Sequence, residues 1–201
     1  MKIGIFGGTF DPPHIGHINM CRAFIDKFNL DVLYVIPVRI PPHKTIKSNS
    51  TTEERFEMTR LAFADISDKV KVSDLEIKRE GKSYTADTIR YFKETMDCDL
   101  YFLCGTDMLL SFNTWYMPDY IFKNATIVYA RRENDKENDE QIPEKIAEYK
   151  KMYDARIIQL DVKVIDVSSS QIRKEIDNSG RSSYLTSEVL SFVIKNNLYN
   201  E

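Results

Sequence analysis

Apolar residues fall along this chain in short, separated bursts, and the spacing inside each burst differs from segment to segment. Lys2-Ile3-Gly4-Ile5-Phe6 is an apolar run that stops at a glycine pair, the pattern of a strand buried on both faces. Beyond Gly16 the spacing becomes helical, with Ile18, Cys21, Phe24, Ile25 and Phe28 on one stripe. Val32 to Ile36 is a second strand, closed by Pro37 and followed by a stiff polar loop at Pro41-Pro42-His43-Lys44. Ser50-Thr51-Thr52 before Glu53-Glu54 starts a helix whose stripe is Met58, Leu61, Ala62 and Ile66. Val70, Val72, Leu75 and Ile77 form a strand or extended segment, and Gly81-Lys82-Ser83 leads into a helix from about Tyr84 to Met96.

The second half repeats the alternation. Leu100 to Cys104 is a core strand stopped by Gly105-Thr106-Asp107, and Trp115 lies in an irregular stretch beyond it. Ala125 to Tyr129 is a fifth strand. The charged and amide run from Arg131 to Glu140 reads as a solvated loop at the sheet edge. A polar helix from about Pro143 to Tyr153, strand-like Ile157-Ile158 and a period-two stretch from Val162 to Val167 follow. Ser168 to Arg173 opens a short helix, and Val189, Leu190, Val193, Ile194 and Leu198 mark the last one. A strand, helix, strand succession implies right-handed parallel crossovers. The expected fold is therefore α/β, a doubly wound parallel sheet in a single domain over 1–201, with a C-terminal helical portion from about 168.

Composition narrows the function. At 42% hydrophobic and 29% charged the chain resembles an ordinary soluble globular protein. A net charge of −3 gives no nucleic-acid footprint. No apolar run reaches the ~20 residues of a membrane helix, and the immediate entry into a strand argues against a signal peptide. Cys21, Cys98 and Cys104 have no metal-motif spacing and read as reduced core thiols of a cytoplasmic protein. The oligomeric state is not legible, and a homo-oligomer stays open.

The chemistry gathers where strands end. Gly7-Gly8-Thr9-Phe10 lets the backbone turn sharply and lets a ligand approach main-chain N–H groups. His14 and His17 stand three residues apart at the following helix start, where free N–H groups and the helix dipole favour an anion. The turn lacks the Gly-x-Gly-x-x-Gly of a dinucleotide site and the Gly-Lys-Ser/Thr of a Walker loop. Zinc on His-x-x-His without an adjacent glutamate is disfavoured, so no protein metal site is expected, whereas plain helix capping by the histidines stays open. Ser168-Ser169-Ser170-Gln171-Ile172-Arg173 offers a second helix start, with hydroxyls and an arginine fork for phosphate. Lys44 on its proline loop is a further cation, and Ser83-Tyr84-Thr85-Ala86-Asp87-Thr88 a capped helix start. Rules of this kind place the ligand beyond the carboxyl ends of the strands, where all these motifs fall.

Gly-Gly-Thr-Phe-Asp-Pro-Pro-His-Ile-Gly-His resembles the opening signature of the nucleotidylyltransferase superfamily with its His-x-Gly-His, and Val167-Ser168-Ser169-Ser170-Gln171-Ile172-Arg173 is similar to that superfamily's Ile-Ser-Ser-Thr-x-Ile-Arg. Pro-Pro-His-Lys, Ser-Tyr-Thr-x-Asp-Thr and Gly-x-Asp…Trp look like the bacterial nicotinate mononucleotide adenylyltransferases, over essentially the whole chain. The resemblance implies a Rossmann-like fold and adenylyl transfer from ATP to nicotinate mononucleotide, an NAD-biosynthetic step, with magnesium carried on ATP. By the same resemblance His14, His17 and Arg173 would be catalytic. Gly7, Gly8, Thr9, Phe10, His17, Gly105, Asp107, Ser169, Ser170 and Arg173 would hold ATP. Lys44, Ser83, Thr85, Trp115 and Tyr116 would hold the mononucleotide.

Overall fold

The computed structural model describes residues 1–42, 45–46, 48–131, 141–163 and 165–200. Lys44 and the charged run at 132–140 lie outside these residues. Six strands make one sheet: β1 (Lys2–Gly8), β2 (Val32–Pro37), β3 (Val70–Val72), β4 (Asp99–Gly105), β5 (Thr126–Ala130) and β6 (Ile157–Leu160). Their order is β3-β2-β1-β4-β5-β6 and every neighbouring pair is parallel. Strand order therefore reverses between β1 and β4, which opens a crevice beyond their carboxyl ends.

Side chains alternate between two apolar layers, as the two-residue strand period requires. Ile3 and Ile5 of β1, with Leu100 and Phe102 of β4, face one layer. It is completed by α4 (Thr85–Thr95), α5 (Thr106–Ser111), a 3₁₀ turn (Phe112–Thr114), α6 (Pro118–Asn124) and α7 (Gln141–Tyr153). Phe6, Leu33 and Leu103 face the other, packed by α1 (Ile15–Phe28), α2 (Thr52–Phe63), α8 (Ser169–Ser179) and α9 (Ser187–Lys195). A Cβ on Gly4 would stand 2.5 Å from Leu30 Cδ1 and 2.9 Å from Phe24 Cε1, so glycine there admits α1 against the sheet.

Four expectations need correction. The extended segment at 70–77 is only the three-residue β3 followed by a one-turn helix, α3 (Leu75–Lys78). Between Gly105 and Trp115 the chain is not irregular but holds α5 and the 3₁₀ turn; Trp115 itself lies in an irregular bend, as expected, and the pattern gave no cue for α6 after it. In α2 the buried stripe is Arg55, Met58, Thr59, Ala62 and Phe63, and Ile66 lies beyond the helix end. The alternating stretch 162–167 contributes no strand among its described residues. Among the described residues β5 ends at Ala130, opposite Leu160. Asn19 Nδ2 instead donates to Lys163 O at 2.8 Å, and Val167 buries itself against the α1 layer.

Candidate active site

The turn after β1, the start of α1 and the start of α8 enclose a cavity of about 600 Å³ at the crevice. His14 is the N-cap of α1 and His17 its third residue. The two imidazoles stack with centroids 3.7 Å apart and planes 28° from parallel. The His14 main-chain N–H donates to His17 Nδ1 at 3.2 Å. A ring nitrogen that accepts carries no proton, so neutral His17 holds its hydrogen on Nε2. Gly16 makes the stack possible, because a Cβ there would lie 3.0 Å from His14 Nδ1.

Phe10 lines the cavity but is 2% exposed, so its ring acts as a floor. It closes edge-on against His17 at 5.1 Å and Phe6 at 5.4 Å, and folds over Gly8, where a Cβ would meet it at 2.8 Å. Its φ of 50° is left-handed. That conformation costs about 1–2 kcal/mol, and full burial of a phenylalanine ring contributes about 1.5–3 kcal/mol. Burial wins.

At the start of α8 the expected serines and arginine come together, with their polar groups partly committed to the protein itself. Ser168 caps the helix by accepting from Gln171 N–H at 3.1 Å. Ser169 Oγ donates to Pro12 O at 2.9 Å, so that hydroxyl proton is taken and its main-chain N–H is what remains. Arg173 Nη2 donates to Ser170 Oγ at 3.0 Å, which leaves the Ser170 proton for a ligand. Arg173 Nη1 donates to Asp11 O at 2.6 Å. Half of the fork expected to grip phosphate is thus anchored to the turn after β1. Gly105 ends β4, and Asp107, exposed in the first turn of α5, borders the same cavity.

Three residues that sequence reasoning passed over hold these parts together. The Asp11 carboxylate, 4% exposed, accepts from Ser48 Oγ and Ser50 Oγ at 2.7 Å each and from Tyr199 OH at 2.8 Å. Burial, then the neighbouring Asp11, pushes the Tyr199 phenol well up. Arg55, 1% exposed, donates through Nη1 to Thr9 O at 2.9 Å and Val38 O at 2.7 Å. Its Nη2 donates to Arg39 O at 3.1 Å and Thr52 Oγ1 at 3.2 Å. Burial lowers its pKa and the field of Asp11 opposes that. For Arg55 a signal existed: extending the α2 stripe back from Met58 and Thr59 by one turn lands on it.

A second cavity, about 310 Å³, opens beside the first. Trp115 stacks on Phe112 at 4.3 Å and 23°, and its Nε1 donates to Ser111 Oγ at 3.3 Å. Tyr116, 48% exposed, tilts over Tyr84 at 4.6 Å. Thr85 is the first residue of α4, whose opening N–H groups have no acceptor inside the helix. Buried Ser83 accepts from Arg39 N–H at 3.0 Å, tying this wall to the loop after β2. Ser83, Thr85, Trp115 and Tyr116 therefore share one cavity. The two cavities have Gly7, Gly8, Thr9, Asp107 and Met108 in common.

Among the described residues no group of three or more His, Cys, Asp or Glu is placed to hold a metal ion. None of their helices is long and apolar enough to cross a membrane.

Comparison with known proteins agrees with this geometry. Residues 5–175 match the cytidylyltransferase-like family model. A protein of Clostridium botulinum (strain Kyoto / Type A2) named probable nicotinate-nucleotide adenylyltransferase is 37% identical over 197 residues, 97% of each chain. A protein of the same name from Caldicellulosiruptor saccharolyticus is 34% identical over the full length of both chains. In fold the chain is similar to Plasmodium falciparum nicotinic acid mononucleotide adenylyltransferase complexed with NaAD, with a TM-score of 0.77 at 23% identity over 98% and 97% of the two chains. With a histidine pair at one strand end, an aromatic cavity sharing its floor, and relatives matched end to end, the chain belongs to the nicotinate-nucleotide adenylyltransferase family of cytidylyltransferase-like proteins.

Proposed function

We propose that this protein transfers the adenylyl group of ATP to nicotinate mononucleotide, giving nicotinate adenine dinucleotide and pyrophosphate in NAD biosynthesis. The observation that carries this reading is the shared floor. One cavity is built for phosphates, the other for an aromatic ring, and Gly7, Gly8 and Thr9 border both. A dinucleotide assembled across that floor has its new phosphoanhydride at the turn, beside the histidines.

The nucleophile is the 5′-phosphate of the mononucleotide, already ionised at neutral pH, so no general base is required. Its oxygen bonds to the α-phosphorus of ATP in line with the breaking bond to the β-phosphate, and pyrophosphate leaves with that electron pair. The protein's work is alignment and charge stabilisation. His17, with its proton on Nε2, donates to the α-phosphate as negative charge grows on its oxygens. His14 stacks against it and fixes Nδ1 as an acceptor, which keeps the donor aimed. The start of α8, the Ser170 hydroxyl and the unanchored part of Arg173 receive the β- and γ-phosphates. Trp115 and Tyr116 hold the pyridine ring, and the first N–H groups of α4 favour its carboxylate. Lys44 completes the mononucleotide phosphate site in this reading. Asp107 takes hydroxyls of the adenosine ribose.

Magnesium enters on ATP as part of the substrate. Asp11, the buried carboxylate at the turn, is already hydrogen-bonded by two serines and a tyrosine, which leaves it a poor ligand. Buried Cys21, Cys98 and Cys104 suit a reducing, cytoplasmic setting. The test is pyrophosphate release from ATP and magnesium with each of three phosphates in turn: nicotinate mononucleotide, pantetheine phosphate, and a CDP-forming substrate with CTP replacing ATP. Release with nicotinate mononucleotide is expected. Release only with another acceptor overturns the assignment.

A further inference from the structure

The tail that follows α9 reaches the phosphate site from behind. Two of its residues take left-handed backbone, Asn197 at φ 50° and Tyr199 at φ 65°. A bulky residue rarely adopts that conformation, which persists where the surroundings over-determine it. Here they do. Tyr199 is 4% exposed, its main-chain N–H donates to Asn49 Oδ1 at 3.0 Å, and its hydroxyl donates to Asp11 Oδ1 at 2.8 Å. Burial, then Asp11, pushes the phenol well up, so it keeps its proton and remains a donor.

The same carboxylate stands beside Arg173. Ser50 Oγ is the second donor to Oδ1 and Ser48 Oγ donates to Oδ2, each at 2.7 Å. Arg173 Nη1 lies 3.6 Å from Oδ2, too far for a hydrogen bond, and donates instead to the Asp11 main-chain oxygen at 2.6 Å. Its Nη2 reaches Ser170 Oγ at 3.0 Å, at the edge of the cavity that both residues line. An arginine and a carboxylate this close frequently pair fork to fork, which would draw the guanidinium away from any phosphate. Three hydroxyl donors on Asp11 satisfy its oxygens in place of that pairing.

We propose that Tyr199 is a positioning residue for the triphosphate: by holding Asp11 Oδ1 it keeps the carboxylate from pairing with Arg173, so the guanidinium stays available to the β- and γ-phosphates. The inference rests on the proposed placement of those phosphates at the start of α8 and adds a residue from the tail to that site. Without the hydroxyl, Ser50 alone remains on Oδ1 and the carboxylate is free to turn. Arg173 then exchanges its contact with the ligand for an ion pair inside the protein. Adenylyl transfer takes no proton from Tyr199, so the defect belongs to binding of triphosphate and pyrophosphate rather than to the chemical step.

The experiment is steady-state kinetics with nicotinate mononucleotide, ATP and magnesium, with pyrophosphate as product inhibitor. It compares wild type, Tyr199→Phe, Arg173→Ala and the double variant. Tyr199→Phe should raise KM for ATP and the inhibition constant of pyrophosphate about three- to tenfold, the range that one hydrogen bond supports. Turnover and KM for the mononucleotide should move by less than about twofold. In the Arg173→Ala background the same change should add nothing, because the residue it acts through is gone. Phenylalanine keeps the buried ring. Should the variant nevertheless fail to fold, Ser50→Ala removes the other donor to the same oxygen and is expected to give the same split. Unchanged constants for ATP and pyrophosphate, an equal loss for both substrates, or a loss that persists in the Arg173→Ala background overturns the proposal while leaving the function intact. If the wild type releases no pyrophosphate from ATP with nicotinate mononucleotide, the function itself falls and takes this inference with it.

Discussion

Adding one methyl group at two different glycines should separate turnover from stability. At Gly16, in the first turn of α1, a Cβ would lie 3.0 Å from His14 Nδ1, 3.1 Å from its Cε1 and 3.5 Å from Ile165 O. The imidazole must shift by a few tenths of an ångström. It is 5% exposed and stacked on His17, so the displacement passes to its partner. Misplacement by about 1 Å can lower a rate about 10²-fold, so Gly16→Ala should lower kcat roughly three- to tenfold. Alanine also favours helix by up to about 1 kcal/mol over glycine, which offsets the tight contact and leaves Tm unchanged or slightly higher. Gly180 ends α8 at φ 66° with nothing within 4 Å of a built Cβ. There the left-handed backbone penalises alanine by about 1–2 kcal/mol. Gly180→Ala should lower Tm by about 2–8 °C with kcat unchanged. Steady-state kinetics and thermal melting on the two variants decide the matter. Wild-type turnover in Gly16→Ala, or a loss of turnover that comes only with a collapse in Tm, would refute the placement of the histidine stack.

Three further outcomes are expected. His17→Ala should lower kcat on the order of a hundredfold, because it removes the Nε2 donor used in the transition state, while the melting temperature of this half-buried position moves little. Arg173→Ala should raise KM for ATP and weaken pyrophosphate inhibition more than it affects the mononucleotide, and Arg173→Lys should not restore both the Asp11 contact and the phosphate grip. A defect confined to the mononucleotide would reverse the placement of the two substrates. Burial raises Glu76 in the folded state, so between its ordinary carboxylate pKa and the raised one the folded chain binds more protons than the unfolded chain. Stability should therefore fall as pH rises through that window, and urea unfolding of Glu76→Gln should lack this slope.

The turn at Gly7 to His17 was legible because its chemistry depends on local geometry: a strand end, small residues and a helix start within a few positions. The aromatic wall was legible for the same reason, since Ser83 to Thr85 and Trp115-Tyr116 are each contiguous. What stayed hidden depends on partners far away in the chain. Asp11 meets Tyr199 across 188 positions, and Arg173 meets Asp11 across 162. The commitment of Ser169 Oγ to Pro12 is of the same kind and removes a donor that the motif alone suggests is available. Glu76 and Arg79 look like solvated charges in a polar segment until Thr88 folds over them. Edge elements were misread because period two records only which faces are apolar. Residues 162–167 alternate, but pairing also needs a neighbouring strand, and among the described residues β5 ends at Ala130.

The Arg55 anchor has a consequence for how this site can change. Its Nη1 and Nη2 grip the carbonyls of Thr9, Val38 and Arg39, and every peptide unit offers such an oxygen whatever side chain it carries. Arg55 thus holds the two loops at the mouth through their backbone, and substitution at 38 or 39 leaves this attachment in place. Position 55 has no such latitude, because a lysine presents one charged nitrogen where two separated nitrogens reach three carbonyls. Mutational freedom is therefore unevenly divided: the loop side chains that meet ligands can vary, while a buried cation one turn into a helix keeps the rim in register.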